Sequence, residues 1–298
     1  MMTKSSNNDR LLRGTGLLVI EVRNSNPNGD PDRESDPRCR PDRRGEISPV
    51  SFKRKLRDSV QREIDGDRPC VWQEVSTQMG GLSDDEFCIL ETRGRKREEI
   101  KALTKEDFIR KYWDARLFGC TFLEEGTRYI KTGVAQFGMG VSIAPIEIRR
   151  QTNTNKPGVE EGTEQGMAPL AYRFVEHGLY LMPFTVNPNL ANQSGCEKRD
   201  VDLMLALIRH AYPCNPSAIR PGVEVKHAWY MEHKSPLGSC SDFALIDAMT
   251  PKRKPQFDSS KPSKSWDEYE IPTQLPENLR NRIRGIWDVV NEKWSPNE

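Results

Sequence analysis

LLVIEVRNSNPNGDPD, residues 17–32, is the stretch on which the fold turns. Its first seven residues are a short apolar, β-branched run and read as a buried strand. The Asn-Pro and Asn-Gly pairs that follow are turn signals, with Asn28 and Gly29 expected to tolerate positive φ. Directly downstream, ISPVSFKRKLRDSV (47–60) places Ser48 as a helix N-cap and Pro49 at the first helical position, where a missing N–H costs nothing. Phe52, Leu56 and Val60 recur every four residues, so the helix turns an apolar stripe to the core and leaves Lys53, Arg54, Lys55 and Arg57 on its other faces.

Working outward, residues 64–119 are mixed and polar, an insertion with one good helix in TKEDFIRKYWDARLF. There Thr104 caps, Asp107 follows three residues on, and Phe108, Ile109, Tyr112 and Trp113 share a face. TGVAQFGMGVSIAPIEI (132–148) is a glycine-punctuated β segment. RRQTNTNKPGVEEGTEQGMAP (149–169) lacks large apolar residues and is expected to form a long hairpin or mobile loop. HGLYLMPFTV (177–186) predicts a strand and DVDLMLALIRHAY (200–212) a helix with Val201, Met204, Leu205, Ile208 and Tyr212 on one face. VEVKHAWYME (223–232) predicts a last strand, and the tail beyond Pro251 a peripheral extension ending in an LRNRIRGIWDVV helix. The order strand, helix, strand, strand, helix, strand gives an α+β fold: a β-α-β-β-α-β, ferredoxin-like unit of the kind shared by RNA-recognition (RRM) modules.

A chain of 298 residues with 35% hydrophobic and 30% charged residues suits one large domain with insertions. No apolar run approaches the roughly 18 residues of a membrane span, and MMTKSSNNDR lacks a signal peptide's apolar core. Seven scattered cysteines, none in a C-x-x-C pair, fit a reduced chain, so a cytoplasmic protein without a membrane partner is expected. The net charge of +1 argues against a general basic coat. Residues 38–62 are the exception: nine bases (Arg38, Arg40, Arg43, Arg44, Lys53, Arg54, Lys55, Arg57, Arg62) face three acids (Asp42, Glu46, Asp58). Such a run is either a solvated face or, because it passes from a loop into a helix N-terminus, a phosphate-binding surface.

The acids Asp30, Asp32, Glu34 and Asp36 imitate a calcium loop but place Ser35 where glycine is needed and Pro41 where a bidentate glutamate belongs. No metal site is expected there. His177, His210, His227 and His233 have no catalytic spacing and read as structural, and GVAQFGMG lacks the Lys-Ser/Thr of a P-loop. The aromatic RNA-recognition signature is missing as well, so any RNA contact would run through loops and backbone.

Together LLVIEVRNSNPNGDPD, FKRKLRD, DARLFGCTF, TGVAQFGMGVSIAP, VEHGLYLMPFTVNP and HKSPLG occur in an order that resembles the CRISPR-associated "Cas seven" backbone subunits of type I Cascade, most like subtype I-C and also I-B. The resemblance spans roughly residues 17–250. It implies an RRM-like palm with an inserted helical finger and a thumb hairpin. The palm's first half is then 1–63, the finger 64–131, a palm strand 132–148, the thumb 149–172, the palm's second half 173–250 and a peripheral extension 251–298. The family implies a non-nuclease that polymerises head to tail along CRISPR RNA as a helical filament and presents the guide to target DNA. Its partners would be Cas five, Cas eight and small-subunit Cascade proteins with a recruited helicase-nuclease, and no cofactor. Carried over by motif, Asn26, Asn28, Gly29 and Asp30 shape the loop, and Lys53, Arg54, Lys55 and Arg57 grip phosphates beside Arg38, Arg40, Arg43 and Arg44. Gln136, Phe137 and Ser142 line the RNA groove, and the thumb offers Arg149, Arg150, Lys156 and an apolar wedge, Met167.

Two other readings stay open. PVSFKRKLR is also similar to the Ser-x-Lys-x-x-x-Arg helix of type III backbone subunits, which would make Asp30, Asp32 or Asp36 a metal-assisted RNA-cleaving carboxylate. A single-copy RNA-binding adaptor that does not polymerise is the third.

Overall fold

β1 (Gly14–Ser25) runs through the interior of an antiparallel sheet and is covered on both faces, which is why LLVI is apolar at consecutive positions. Leu18, Ile20 and Val22 point into one core, Leu17 and Val19 into another. The computed structural model describes residues 10–61, 68–92, 97–120, 132–155 and 168–292. After β1 come β2 (Arg44–Ile47), α1 (Pro49–Val60), α2 (Cys70–Gln78), α3 (Arg97–Lys101), α4 (Lys105–Lys111), α5 (Trp113–Phe118), β3 (Ala135–Phe137), β4 (Gly140–Pro145) and β5 (Ile148–Asn155). They are followed by β6 (Ala168–Val186), α6 (Ala191–Ser194), α7 (Lys198–Ile208), β7 (Val223–His233), α8 (Asp242–Ala248), β8 (Lys252–Arg253), β9 (Tyr269–Glu270), α9 (Glu277–Arg280) and β10 (Ile283–Asp288).

The fold is α+β. The main sheet has the order β10-β7-β1-β6-β4-β2, with β3 and β5 also pairing β6, and every neighbour is antiparallel. β1 pairs β6 from Val186 back to Val175, whereas β5 follows β6 from Val175 to Ala168. The β5–β6 ribbon therefore extends past the end of β1. On one face Phe52, Leu56 and Val60 of α1 and Leu205 of α7 pack with Tyr180, Met182 and Phe184 of β6. The other face is closed by Leu245 of α8 and Met249 at its C-cap, together with Tyr269, Leu275 and Ile283.

Local signals resolve as expected at both helix starts. The Ser48 hydroxyl accepts from the Ser51 N–H at 3.2 Å, and the Thr104 hydroxyl from the Asp107 N–H at 3.1 Å. Three expectations are corrected. The single helix of 105–118 is two, because Tyr112 takes extended φ/ψ (−103°, 97°) and bridges Cys88, which lets Phe108 and Trp113 enter different cores. Positive φ falls at Asn24, Glu34, Ser35 and Arg43 rather than at Asn28 and Gly29, which lie in the bridged part of the loop. IRGIWD is strand β10, not helix, since it satisfies the open edge of β7, and so the tail is part of the sheet. Among the described residues no helix is long and apolar enough to cross a membrane.

Candidate nucleic-acid interface

The loop leaving β1 is built by its asparagines. The Asn26 side-chain amide donates to the Ser35 carbonyl at 2.8 Å, and its Oδ1 is sealed from solvent without a partner. Asn28 Oδ1 accepts from the Ser48 N–H at 2.8 Å, which ties the loop to the N-cap of α1. Gly29 bridges Pro37, and a Cβ there would lie 3.2 Å from the Ser35 carbonyl oxygen, so the narrow loop favours glycine. Asp30 accepts from the Asp32 N–H at 3.3 Å and lies 4.0 Å from the Arg38 guanidinium. Arg40 pairs Glu46 and Arg44 pairs Asp42. Arg43 is exposed, with no ion-pair partner among the described residues.

The four bases of α1 form neither a solvated face nor one continuous cationic stripe. Arg57 donates from Nε to the buried Asp114 carboxylate at 2.8 Å, a structural pair. Arg54 pairs Asp58 at 2.9 Å and donates to the Glu91 carbonyl at 2.6 Å. Lys53 lies over the Phe118 ring at 5.4 Å, beside the Arg57 guanidinium over the same ring at 5.2 Å. Burial, and then Arg57, push the Lys53 ammonium below its usual pKa range. Lys55 is pushed down by burial and next by Arg220. Neither lysine makes a salt bridge among the described residues; Asp58 offsets part of the repulsion at Lys55, and two half-buried cations sit beside guanidiniums.

At the ribbon, Arg150 bridges Asp36, and Arg173 bridges Glu34 and lies 3.5 Å from Asp36. The Arg150 hydrogen bond, outweighing burial, holds the Asp36 carboxyl below its usual range. These pairs fasten the loop after β1 to the stem of the ribbon. Arg149 pairs Glu147 and Glu176 at 3.1 and 2.6 Å. Lys156 and Met167 lie outside the described residues.

Of the groove residues, Gln136 is half-buried and donates to the Gly133 carbonyl at 3.0 Å. Phe137 and Ser142 are corrected. Phe137 is a core residue stacked on Phe184 at 5.0 Å and packed against Phe52 at 5.4 Å. The buried Ser142 hydroxyl donates to the Ala144 carbonyl at 2.5 Å and accepts from the Gly45 N–H at 2.9 Å. Phe137 serves the core between β3, β6 and α1 and Ser142 the β2–β4 junction, both buried.

Among the described residues no cluster of three or more His, Cys, Asp or Glu could hold a metal ion. His177 is buried between Ser263 and Glu21, and His233 accepts at Nδ1 from the Ser239 N–H while Nε2 faces Asp242 at 3.1 Å. These are structural positions. Sequence reasoning missed Arg173, which lies within an ordinary strand pattern, and Arg220, an isolated base among prolines.

The family model for CRISPR-associated protein Cas7 matches residues 12–274. No curated protein matches the chain. Among solved structures it is similar to a chain of a "CRISPR RNA-guided surveillance complex", with TM-score 0.44 and 16% identity over 80% of this chain and 75% of that one. It is also similar to a chain of a "CRISPR RNA-guided surveillance complex, pre-nicking", with TM-score 0.46 and 13% identity over 74% and 78%.

Proposed function

The chain belongs to the Cas7 family of CRISPR-associated proteins, and from that premise we propose that it is a CRISPR RNA-binding backbone subunit of a type I, I-C-like Cascade. It polymerises head to tail along the guide and presents it to target DNA, in company with the other Cascade subunits and a recruited helicase-nuclease, in the cytoplasm. The order β7-β1-β6-β4, antiparallel throughout, is the strand order of a split β-α-β-β-α-β unit and supports an RRM-like palm. Residues 64–131 then form the finger and the β5–β6 ribbon belongs to the thumb. The observation that supports the RNA reading is the pair of half-buried lysines, Lys53 and Lys55, held beside Arg57 and Arg220 with no salt bridge among the described residues. A phosphodiester backbone supplies the missing charge.

The role is binding rather than catalysis. Asp36 is occupied by two arginines and Asp30 by the turn it caps. Electron microscopy of the chain co-expressed with its neighbouring genes and a CRISPR array is the test. A curved filament of several copies on one RNA is expected, and a single copy on RNA, or none, would overturn the backbone role. Divalent-metal-dependent cutting of complementary RNA would favour the loop-aspartate nuclease instead.

A further inference from the structure

Leu237 and Phe243 are 78% and 79% exposed, the highest values among the large apolar side chains described. The loop between them is firmly held. Buried His233 accepts at Nδ1 from the Ser239 N–H at 3.0 Å, the Asp242 carboxylate takes Arg13 and, at 2.6 Å, the Thr15 hydroxyl, and Ser241 caps α8. Apolar groups kept in water on a fixed frame mark a contact surface. Cations flank them. Lys234 Nζ donates to the Asn281 carbonyl at 2.7 Å, which brings the end of α9 against the loop. Arg282 is near enough to Cys240 to counter part of the rise that burial gives its thiol pKa. Lys234, Arg280 and Arg282 make no salt bridge among the described residues. Of the neighbouring acids, Asp242 and Glu232 are taken by Arg13 and Arg284, and Glu277 stands one turn before Arg280 on α9, which leaves Asp247 alone against Lys234 and Arg282.

The opposite face of the sheet carries the complement. Residues 70–91, α2 and the turns after it, hold five acids, Glu74, Asp84, Asp85, Glu86 and Glu91, and no base. Arg68 and Arg199 answer Asp84 and Glu86 at 3.7 and 3.0 Å. Glu74 and Asp85 are exposed and make no salt bridge among the described residues. Between them Gly80 and Gly81 take positive φ, 88° and 87°, and a Cβ on either would meet nothing within 4 Å, so this turn stands clear of the other described residues. Half-buried Met79 and Leu82 flank it. Val71, Trp72 and Val75 of α2 pack into the core on the α1 and α7 side, whereas Leu245 of α8 and Ile283 of β10 pack into the core on the other side. One molecule cannot bring these two surfaces together, and two copies can.

We infer that the acidic turn after α2 of one copy seats on the Leu237–Phe243 corner of the next, with Glu74 and Asp85 facing Lys234 and Arg282 and with Met79 and Leu82 covering the two apolar side chains. Two different surfaces meet, so the contact is heterologous and can repeat along an open filament. The inference rests on the head-to-tail reading above and gives that polymer its two faces.

Sedimentation velocity of the full chain on long single-stranded RNA tests it by charge reversal. Lys234→Glu with Arg282→Glu, or Glu74→Lys with Asp85→Lys, sets like charges across the contact and is expected to weaken copy-to-copy association on the order of a hundredfold, leaving mainly single copies on the RNA. The four changes together exchange the two signs and are expected to restore filaments of wild-type length. All four residues are exposed, so unchanged thermal unfolding is expected of every variant. The unaltered chain, co-expressed with its neighbouring genes and a CRISPR array, is also treated with a carbodiimide, which joins touching amines and carboxylates. Lys234 linked to Glu74 or Asp85 of another copy is expected. Wild-type filaments matched by both reversed pairs, with Lys234 linked to other carboxylates or to a different protein, overturn this contact alone. A wild-type chain that stays single on RNA overturns the head-to-tail reading and this contact with it.

Discussion

At the scale of single residues, the charges inside the protein divide into those answered and those left exposed to a cost. Asp114 accepts from the N–H groups of Leu90 and Glu91 as well as from Arg57, and Asp200 receives both arms of Arg116. Asp202 is different. Burial pushes its carboxyl up to about 6 although Lys198 donates to it at 2.9 Å. A folded-state pKa above the unfolded 3.8 means the native state holds the proton more tightly. Its contribution to stability is therefore complete below about pH 4 and is lost as pH rises through 6. Asp202→Asn keeps the shape and cannot ionise. Urea unfolding between pH 4 and pH 7 should show the wild type losing on the order of 2 kcal/mol more than the variant. Parallel pH profiles would show that Asp202 is ionised in the folded protein.

At the scale of elements, α1 and β10 show what local sequence reports and what it conceals. The cap, the proline at the first helical position and the four-residue apolar repeat of α1 are local and were legible in advance. The use of its bases was not, because it depends on Asp114, Phe118 and Arg220 in distant segments. Lys53→Ala combined with Lys55→Ala should weaken single-stranded RNA binding regardless of sequence and lower the salt slope by about 1.4, with the melting profile intact. Arg57→Ala should instead lower stability, since it leaves the buried Asp114 carboxylate without its cation. If the double variant kept the full slope, the phosphates would lie elsewhere. In and just after β10, Ile283, Ile286, Trp287 and Val290 have helical spacing, yet the free edge of β7 decides for a strand. Gly285→Ala separates the two. A helix interior would gain up to about 1 kcal/mol, whereas here a Cβ would fall 2.3 Å from the Trp287 ring, which packs near Tyr230. A loss of about 1–2 kcal/mol is expected by thermal unfolding.

At the scale of the whole molecule, the features legible in sequence are those a few residues determine: the core strand, the helix caps, the polar hairpin and the alternation of strands and helices. Phe137 and Ser142 were misplaced because a glycine-punctuated segment looks like an open groove until β6 and Phe52 close over it. The joint between loop and ribbon was invisible for the same reason, since Asp36, Arg150 and Arg173 meet only after folding. That joint couples the loop beside α1 to the ribbon that extends past the end of β1, and in the proposed head-to-tail polymer it would hold those two parts in fixed relation. The Arg150 end is largely exposed, so Asp36→Asn should cost no more than about 1 kcal/mol of stability. Its effect on assembly should be larger, because each copy would present its ribbon at a looser angle and the error would recur at every junction. Sedimentation velocity on RNAs of increasing length should show the wild type adding copies cooperatively and Asp36→Asn forming a broad distribution of partly filled particles, with single-copy RNA affinity little changed. Identical distributions for the two proteins would make the ion pairs a surface detail with no part in the proposed assembly.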